Sequence, residues 1–300
     1  MNLFALTFPF VLLALFRTCN SGDRTFRRVP DLISAYPAAA WLALLVAGAL
    51  IGLLAGLLGV GGGIVAVPVL IEIFELSEVA DASVVPLAIG TAQANVLIAS
   101  LGAAYAHWRA NTIDRALVRA WLPALVLGAA AGLAWGPLVP SKILTSAFAA
   151  VAALLGLKLA LGDAIVIARR LPSGFAGHIA PALVGGLAAA LGVGSGTLST
   201  PTLSLFSFPI RQGIGAGALF NMIVAAPATI AFLCQDWGAA GKPADAVGNI
   251  ALFCVAALSL PALFVAPVAA RWSSRAPVVL LRRSFALCLC AIAVRIVLRP

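Results

Sequence analysis

An apolar run from Ala38 to Ile71, without a charged residue, is the feature that most constrains this chain. A helix needs about 20 apolar residues to cross the hydrocarbon core of a bilayer, and this run is longer. Similar runs recur in a chain that is 63% hydrophobic and 10% charged, whereas soluble domains carry about 25% charged residues. The sequence therefore predicts an all-α integral membrane protein in the lipid bilayer. A β-barrel would instead require alternating segments of about 10 residues.

Glycine interrupts this run at residues 59–68, which read GVGGGIVAVP. A glycine costs roughly 1 kcal/mol relative to alanine inside a helix, so three or more together favour a break. We predict a span at 40–58, an unwound stretch at the glycines, and a short half-helix at 62–75.

The same pattern recurs at residues 192–201, which read GVGSGTLSTP. Further matches at a nearly constant spacing pair Gly52 with Gly185, Pro68 with Pro201, Pro140 with Pro277, Phe148 with Phe285 and Lys158 with Arg295. An internal duplication of this kind is typical of secondary transporters. We predict two repeats of about 135 residues, each with about four spans and a glycine-broken half-helix.

The predicted organisation has four parts along the chain. These are an N-terminal hydrophobic segment with a basic linker (1–37), a first transmembrane repeat (38–162), a cytoplasmic linker (163–178) and a second transmembrane repeat (179–300). After the first half-helix, spans are predicted at 84–106, 118–138 and 143–161. The second half has spans at 179–193, 213–234, 247–270 and 280–298, with a half-helix at 197–208. An additional hydrophobic segment covers about 3–16.

The net charge of +9 is carried mostly by short segments between spans. Such a bias is typical of cytoplasmic loops, so we expect no nucleic-acid partner. If the halves run parallel, the segments 17–31, 107–119 and 162–178 are cytoplasmic, together with Lys242, and the acidic segment 72–81 is external. That assignment leaves Arg271 and Arg275 outside, and an inverted arrangement of the halves stays open.

The glycine breaks have two interpretations. Small residues allow close helix packing, as in the G-x-x-x-G formed by Gly52 and Gly56. Alternatively, each break frees the first N–H groups of a new helix, and such a terminus attracts anions. Under this second interpretation the predicted substrate-binding residues are Gly59, Gly61, Gly62, Gly63, Gly192, Gly194, Ser195, Gly196 and Thr197.

Uncharged polar residues follow each break, and we add Thr91, Asn95 and Asn221 to the predicted site. Such groups hold helices together about as often as they bind ligands. The sequence contains no Walker A motif, no metal-ligand cluster and no catalytic Ser/His/Asp arrangement. We therefore expect no enzyme activity, no cofactor and no metal.

The stretches GLLAGLLGVGGGIVAVPVL and GGLAAALGVGSGTLSTPTLSLF resemble the paired signature of the TauE/SafE family, membrane permeases also called the sulfite exporter family. AIGTAQA and LLRRSFALCL are similar to the helix after the motif and to the last helix of that family. The resemblance spans about 38–298. The second repeat departs from the first at two positions: Ser195 corresponds to Gly62 of the first repeat, and Ala218 corresponds to Thr91.

The resemblance implies a permease for a small sulfur-containing anion, such as sulfite or an organosulfonate, in a bacterial cytoplasmic membrane. The alternatives are a passive anion channel, a permease for another small solute and, less favoured, a membrane-embedded enzyme. A homodimer is an open alternative for the assembly.

Overall fold

A computed structural model describes residues 36–59, 61–161, 168, 171–172, 174–234 and 241–273. The predicted segment at 3–16 and the predicted last span at 280–298 lie outside these residues.

The described part of the chain is largely helical. Its helices are α1 (Ala38–Leu58), α2 (Gly63–Leu76), α3 (Asp81–Arg109), α4 (Arg115–Trp135), α5 (Ser141–Leu161), α6 (Ala176–Leu191), α7 (Ser195–Ser204), α8 (Ile210–Cys234) and α9 (Leu252–Ser273). A 3-10 helix at Gly136–Leu138 follows α4, and two short antiparallel strands, β1 (Ala246–Val247) and β2 (Ile250–Ala251), precede α9. Six of these helices are long and apolar enough to cross a bilayer: α1, α3, α4, α5, α8 and α9. The prediction of an all-α membrane protein is confirmed.

The outer surface of the helices fits a lipid environment. Leu127 and Phe264 are exposed by 71% and 73%, which is favourable in hydrocarbon and unfavourable in water. Trp135 and Trp272 are also exposed, near the C-terminal ends of α4 and α9. Their amphipathic rings suit the membrane–water interface.

The predicted helix boundaries hold with one clear exception. The predicted span at 247–270 begins instead at Leu252, because residues 246–251 form the β-hairpin. Gly248, with a φ of 59°, makes the turn of this hairpin. Glycine reaches that left-handed conformation without steric penalty.

Two pairs of helices pack backbone to backbone through small residues. On α1, a Cβ at Gly52 would lie 2.8 Å from the Cα of Ala262 in α9. On α4, a Cβ at Gly132 would overlap the carbonyl oxygen of Gly186 in α6. Small residues permit this close approach in membranes. The packing interpretation of Gly52 is therefore confirmed.

Successive contacts along the first pair show its direction. Gly48 faces Leu258, and Gly56 faces Ala266, so the contacting residue numbers rise together and α1 runs parallel to α9. Helix α4 likewise runs parallel to α6, because Gly128 faces Ala182, four residues before Gly132 faces Gly186.

Two further contacts orient α3 and α8. The start of α8 meets the end of α3, since a Cβ at Gly215 would lie 2.8 Å from the carbonyl oxygen of Thr112. The end of α8 meets the first half of α3, since a Cβ at Gly90 would lie 2.9 Å from a ring carbon of Phe232. The two helices are therefore antiparallel.

Helices α1 and α3 run in the same direction, because both run parallel to α9, and α2 therefore turns back between them. Thr91 of α3 contacts Ala251 of β2, directly before α9, and Gly102 contacts Pro267 near the end of α9. Because α1 is also parallel to α9, both ends of the α1–α2 segment lie on one side of the protein.

The two sides differ in charge. One side, called the acidic side here, contains the loop that joins α2 to α3 and carries the acidic cluster Glu72, Glu75, Glu78 and Asp81. The other, called the basic side, contains the ends of α3 and α9 and the starts of α4 and α8. The described arginines on this side are Arg109, Arg115, Arg119, Arg211 and Arg271.

The side predicted for Lys242 under a parallel arrangement of the halves is wrong. Gly241 contacts Ala80, so the loop before β1 lies on the acidic side, opposite the end of α3. The physical reason is that α2 turns back through the protein, whereas the predicted sides assume that this short helix does not cross the membrane. Arg271, left outside by that argument, lies on the basic side.

Labelling of single cysteines will test this topology. In a variant without its natural cysteines, Asp81→Cys and Ala244→Cys should react with a membrane-impermeant maleimide from one side of the membrane. Ala110→Cys should react only from the other side. Labelling of Ala110→Cys and Ala244→Cys from the same side would contradict the structure.

Candidate functional site

Both predicted glycine breaks are present. The first break lies between Leu58, where α1 ends, and Gly63, where α2 begins, and the second covers residues 192–194, between α6 and α7. Gly59 and Gly192 end their helices in the left-handed conformation, with φ angles of 64° and 70°. The breaks then differ: Gly62 has a φ of 71°, whereas Ser195 already belongs to α7. Ser195 thus avoids the positive φ that requires glycine at Gly62.

The two breaks contact each other reciprocally. A Cβ at Gly63 would overlap the carbonyl oxygen of Gly192, and a Cβ at Gly196 would overlap that of Gly59. Each helix that starts after a break therefore packs against the end of the helix before the other break. The glycines predicted for the site form one cluster in the protein interior, including Gly61 and Gly194, which approach each other.

Asn221 of α8 links the two breaks through its carboxamide. Its Oδ1 accepts a hydrogen bond from the N–H of Gly196 at 2.6 Å, and its Nδ2 donates to the carbonyl oxygen of Gly59 at 3.0 Å. The side chain is 1% exposed. It therefore satisfies a donor at the start of α7 and an acceptor at the end of α1, so an anion at Gly196 must displace it.

Ser195 and Thr197 lie at the start of α7 and are fully buried. Thr197 Oγ1 donates to the carbonyl oxygen of Val193 at 3.0 Å. Ser195 Oγ has no hydrogen-bond partner. A buried hydroxyl without a partner costs free energy, so Ser195 offers a free donor beside the second break.

Thr91 and Asn95 share a face of α3, as predicted, and this face points toward α9. Thr91 Oγ1 accepts from the N–H of Ala251, and Asn95 Oδ1 accepts from Ser259 Oγ, both at 3.0 Å. In these contacts the two side chains hold α3 against β2 and α9, away from the breaks. Asn95 Nδ2 has no partner.

Gln93, which the sequence pattern did not single out, is the carboxamide of α3 that points toward the second break. Its Nε2 donates to the carbonyl oxygens of Ala188 and Ala189, in the last turn of α6, at 2.9 and 3.2 Å. The side chain is fully buried, and its Oε1 has no partner. Its position on the face opposite Thr91 was the only sequence signal that distinguished it.

Asp245, also not singled out, is a buried carboxylate at the acidic side. It is 7% exposed, accepts from the Tyr36 hydroxyl at 2.8 Å and from the N–H of Phe253 at 2.9 Å. It therefore joins the start of α1 to the start of α9. Burial raises the pKa of the Asp245 carboxyl, although these hydrogen bonds act in the opposite direction. Burial likewise raises the pKa of Tyr36.

In the part of the chain that the structure describes, no group of three His, Cys, Asp or Glu side chains could hold a metal ion. Nor is any Lys or Arg among the buried side chains of that part. The donors near the breaks are backbone N–H, hydroxyl and carboxamide groups.

Apolar spanning helices, broken in the interior at two contacting points, define the class: a multi-pass membrane protein of the kind that forms secondary transporters. The chain belongs to the Sulfite exporter TauE/SafE family, whose profile matches residues 44–296. It is similar to a "Probable membrane transporter protein" of Haemophilus influenzae, with 30% identity over 259 residues, 85% of this chain and 97% of the relative. No solved structure matches the chain. The family and the relative indicate a membrane transporter rather than an enzyme.

Asn221→Ala should destabilise the protein because it leaves Gly59 and Gly196 without their side-chain partners. Buried groups without partners cost about 1–3 kcal/mol each, so we expect a fall of several degrees in the melting temperature in detergent. Asn95→Ala, which breaks one hydrogen bond, is the control and should cost less. Equal losses would contradict a linking role for Asn221.

The Asp245 carboxyl should make stability depend on pH. Because its folded pKa is raised, the folded protein holds this proton at pH values where the unfolded chain has lost it. Stability should therefore fall as pH rises from about 4 through the folded pKa. Thermal unfolding of Asp245→Asn across the same range should show a shallower fall; an identical profile would remove Asp245 as the cause.

Proposed function

We propose that this transporter moves a small sulfur-containing anion, such as sulfite or an organosulfonate, through a site between the two glycine breaks. The observation that carries the proposal is the convergence of both breaks beside the unpartnered hydroxyl of Ser195. The family description, sulfite exporter, supports the substrate class.

The donors at the breaks suit an anion that must bind and then leave. A small oxyanion accepts several hydrogen bonds, and the start of a helix supplies N–H groups with partial positive charge. A buried Lys or Arg would hold an anion more tightly, and neither is buried in the described residues.

The proposed transport cycle rests on two inverted repeats. Antiparallel directions of α3 and α8, and of α1 and α6, support this arrangement. Each of the pairs α1–α9 and α4–α6 joins a helix of one half to a helix of the other. Rocking of these units about the breaks exposes the site to each side in turn.

The proposed location is the cytoplasmic membrane of a bacterium, with the basic side facing the cytoplasm. Arginines concentrate on the side that contains Arg109 and Arg271, and the positive-inside rule places such a side in the cytoplasm. The acidic side then faces outward.

Flux measurements in proteoliposomes will test the substrate and the site together. Sulfite, thiosulfate, sulfoacetate, sulfate and nitrite form the panel, and we expect transport of sulfite or a sulfonate. Ser195→Ala should lower that flux roughly tenfold, the loss expected for one hydrogen bond to a charged ligand. Its melting temperature should not fall, because Ser195 Oγ has no partner to lose.

Thr197→Val is the matched control, since the Thr197 hydroxyl is satisfied within the turn before α7. Equal flux through the wild type and Ser195→Ala would remove Ser195 from the site. Flux of none of the sulfur anions would refute the substrate class. Accumulation against a gradient, lost when the membrane potential is collapsed, distinguishes a carrier from a passive channel.

A further inference from the structure

A cavity of about 210 Å³ lies near the acidic side of the protein. Its walls come from α3, α4, α5, α6 and α8, and five residues between α4 and α5 also line it: Gly136, Pro137, Val139, Pro140 and Ser141. This volume accommodates a small oxyanion with part of its hydration shell. The cavity is therefore a candidate vestibule on the acidic side.

One face of α3 leads from this cavity toward the second break. Ala82, Pro86 and Ile89 line the cavity, and Gln93 follows them at the spacing of residues on one helical face. Ile89 also touches the break, because a Cβ at Gly192 would lie 3.2 Å from its Cγ2. Ala189 and Ala190, near the end of α6, also line the cavity.

Gln93 binds this last turn of α6. Ala189 lines the cavity, and its carbonyl oxygen, like that of Ala188, accepts from Gln93 Nε2. The two carbonyls fix the carboxamide orientation, since a flipped side chain would place Oε1 against them. Because Oε1 has no partner, Gln93 is attached to α6 through its Nε2 alone.

The contact has a counterpart at the other break. Asn221 of α8 donates to the carbonyl oxygen of Gly59 at the end of α1, as Gln93 of α3 donates to the end of α6. Asn221 is held at both ends of its carboxamide, because Oδ1 binds Gly196. The Gln93 contact has no such second anchor and is the easier one to release.

We propose that Gln93 is the gate on the acidic side, whose carboxamide closes the path from the cavity to the glycine breaks by binding the last turn of α6. The proposal rests on the proposed function in placing the substrate at the breaks. When α3 and α6 separate, the Nε2 hydrogens leave Ala188 and Ala189 and become donors to an anion in transit. The gate thereby also selects for hydrogen-bond acceptors.

Cysteine labelling tests the gate independently of the substrate. In a variant without natural cysteines, Ser195→Cys is a reporter beyond the gate, and it should react slowly with an impermeant maleimide added on the acidic side. Addition of Gln93→Ala should accelerate this reaction at least tenfold. Gln93→Glu should also accelerate it, because a carboxylate facing two carbonyl oxygens is repelled.

Thr91→Ala is the matched control, since it removes one buried hydrogen bond from the opposite face of α3. Labelling that stays slow in Gln93→Ala, or that rises equally in Thr91→Ala, would overturn the gate. Flux of the sulfur anions, measured in the wild type and in Gln93→Ala with its natural Ser195, separates the two proposals. Fast labelling in Gln93→Ala, together with no flux of any sulfur anion in the wild type, would support the gate and refute the substrate. Slow labelling in Gln93→Ala, together with sulfite flux in the wild type, would refute the gate alone.

Discussion

The rest of the structure depends on the satisfaction of backbone polar groups in an interior without bulk water. A helix that stops inside the protein leaves carbonyl and N–H groups without partners. Here the carbonyl groups at both helix ends find partners in the other half of the chain: Asn221 serves Gly59, and Gln93 serves Ala188 and Ala189. Neither broken helix is therefore stable without the opposite half, and the two breaks must meet.

Packing divides the molecule into parts of different stiffness. The pairs α1–α9 and α4–α6 join through glycine contacts repeated along their length, so any relative shift disturbs many close contacts at once. The breaks are held by glycine contacts at a single crossing and by a few carboxamide hydrogen bonds, each with a net contribution of about 1 kcal/mol. A shift at the breaks therefore disturbs fewer close contacts than a shift along the paired helices.

Sequence reasoning predicted the helix breaks well and their surroundings less well. Gly59 and Gly192 indicated the breaks, because closely spaced glycines in an apolar run disfavour a continuous helix. The roles of Gln93 and Thr91 on α3 could not be assigned, since sequence spacing shows that they occupy different faces but not which face meets α6. The side predicted for Lys242 was wrong because the side assigned to a loop depends on how many helices cross the membrane before it. Helix α2 turns back through the protein, although it is shorter than a full span. Asp245 escaped attention because its burial depends on Tyr36, far away in the sequence.

The two halves are chemically unequal around the breaks. Ser195 replaces the glycine at Gly62, so only the second break has a free hydroxyl beside it. Asn221 binds at both ends of its carboxamide, whereas Gln93 binds at one. The breaks therefore differ in the polar groups left without a partner beside them: the Ser195 hydroxyl lies at the second break, and the Gln93 Oε1 lies near the end of the helix before it.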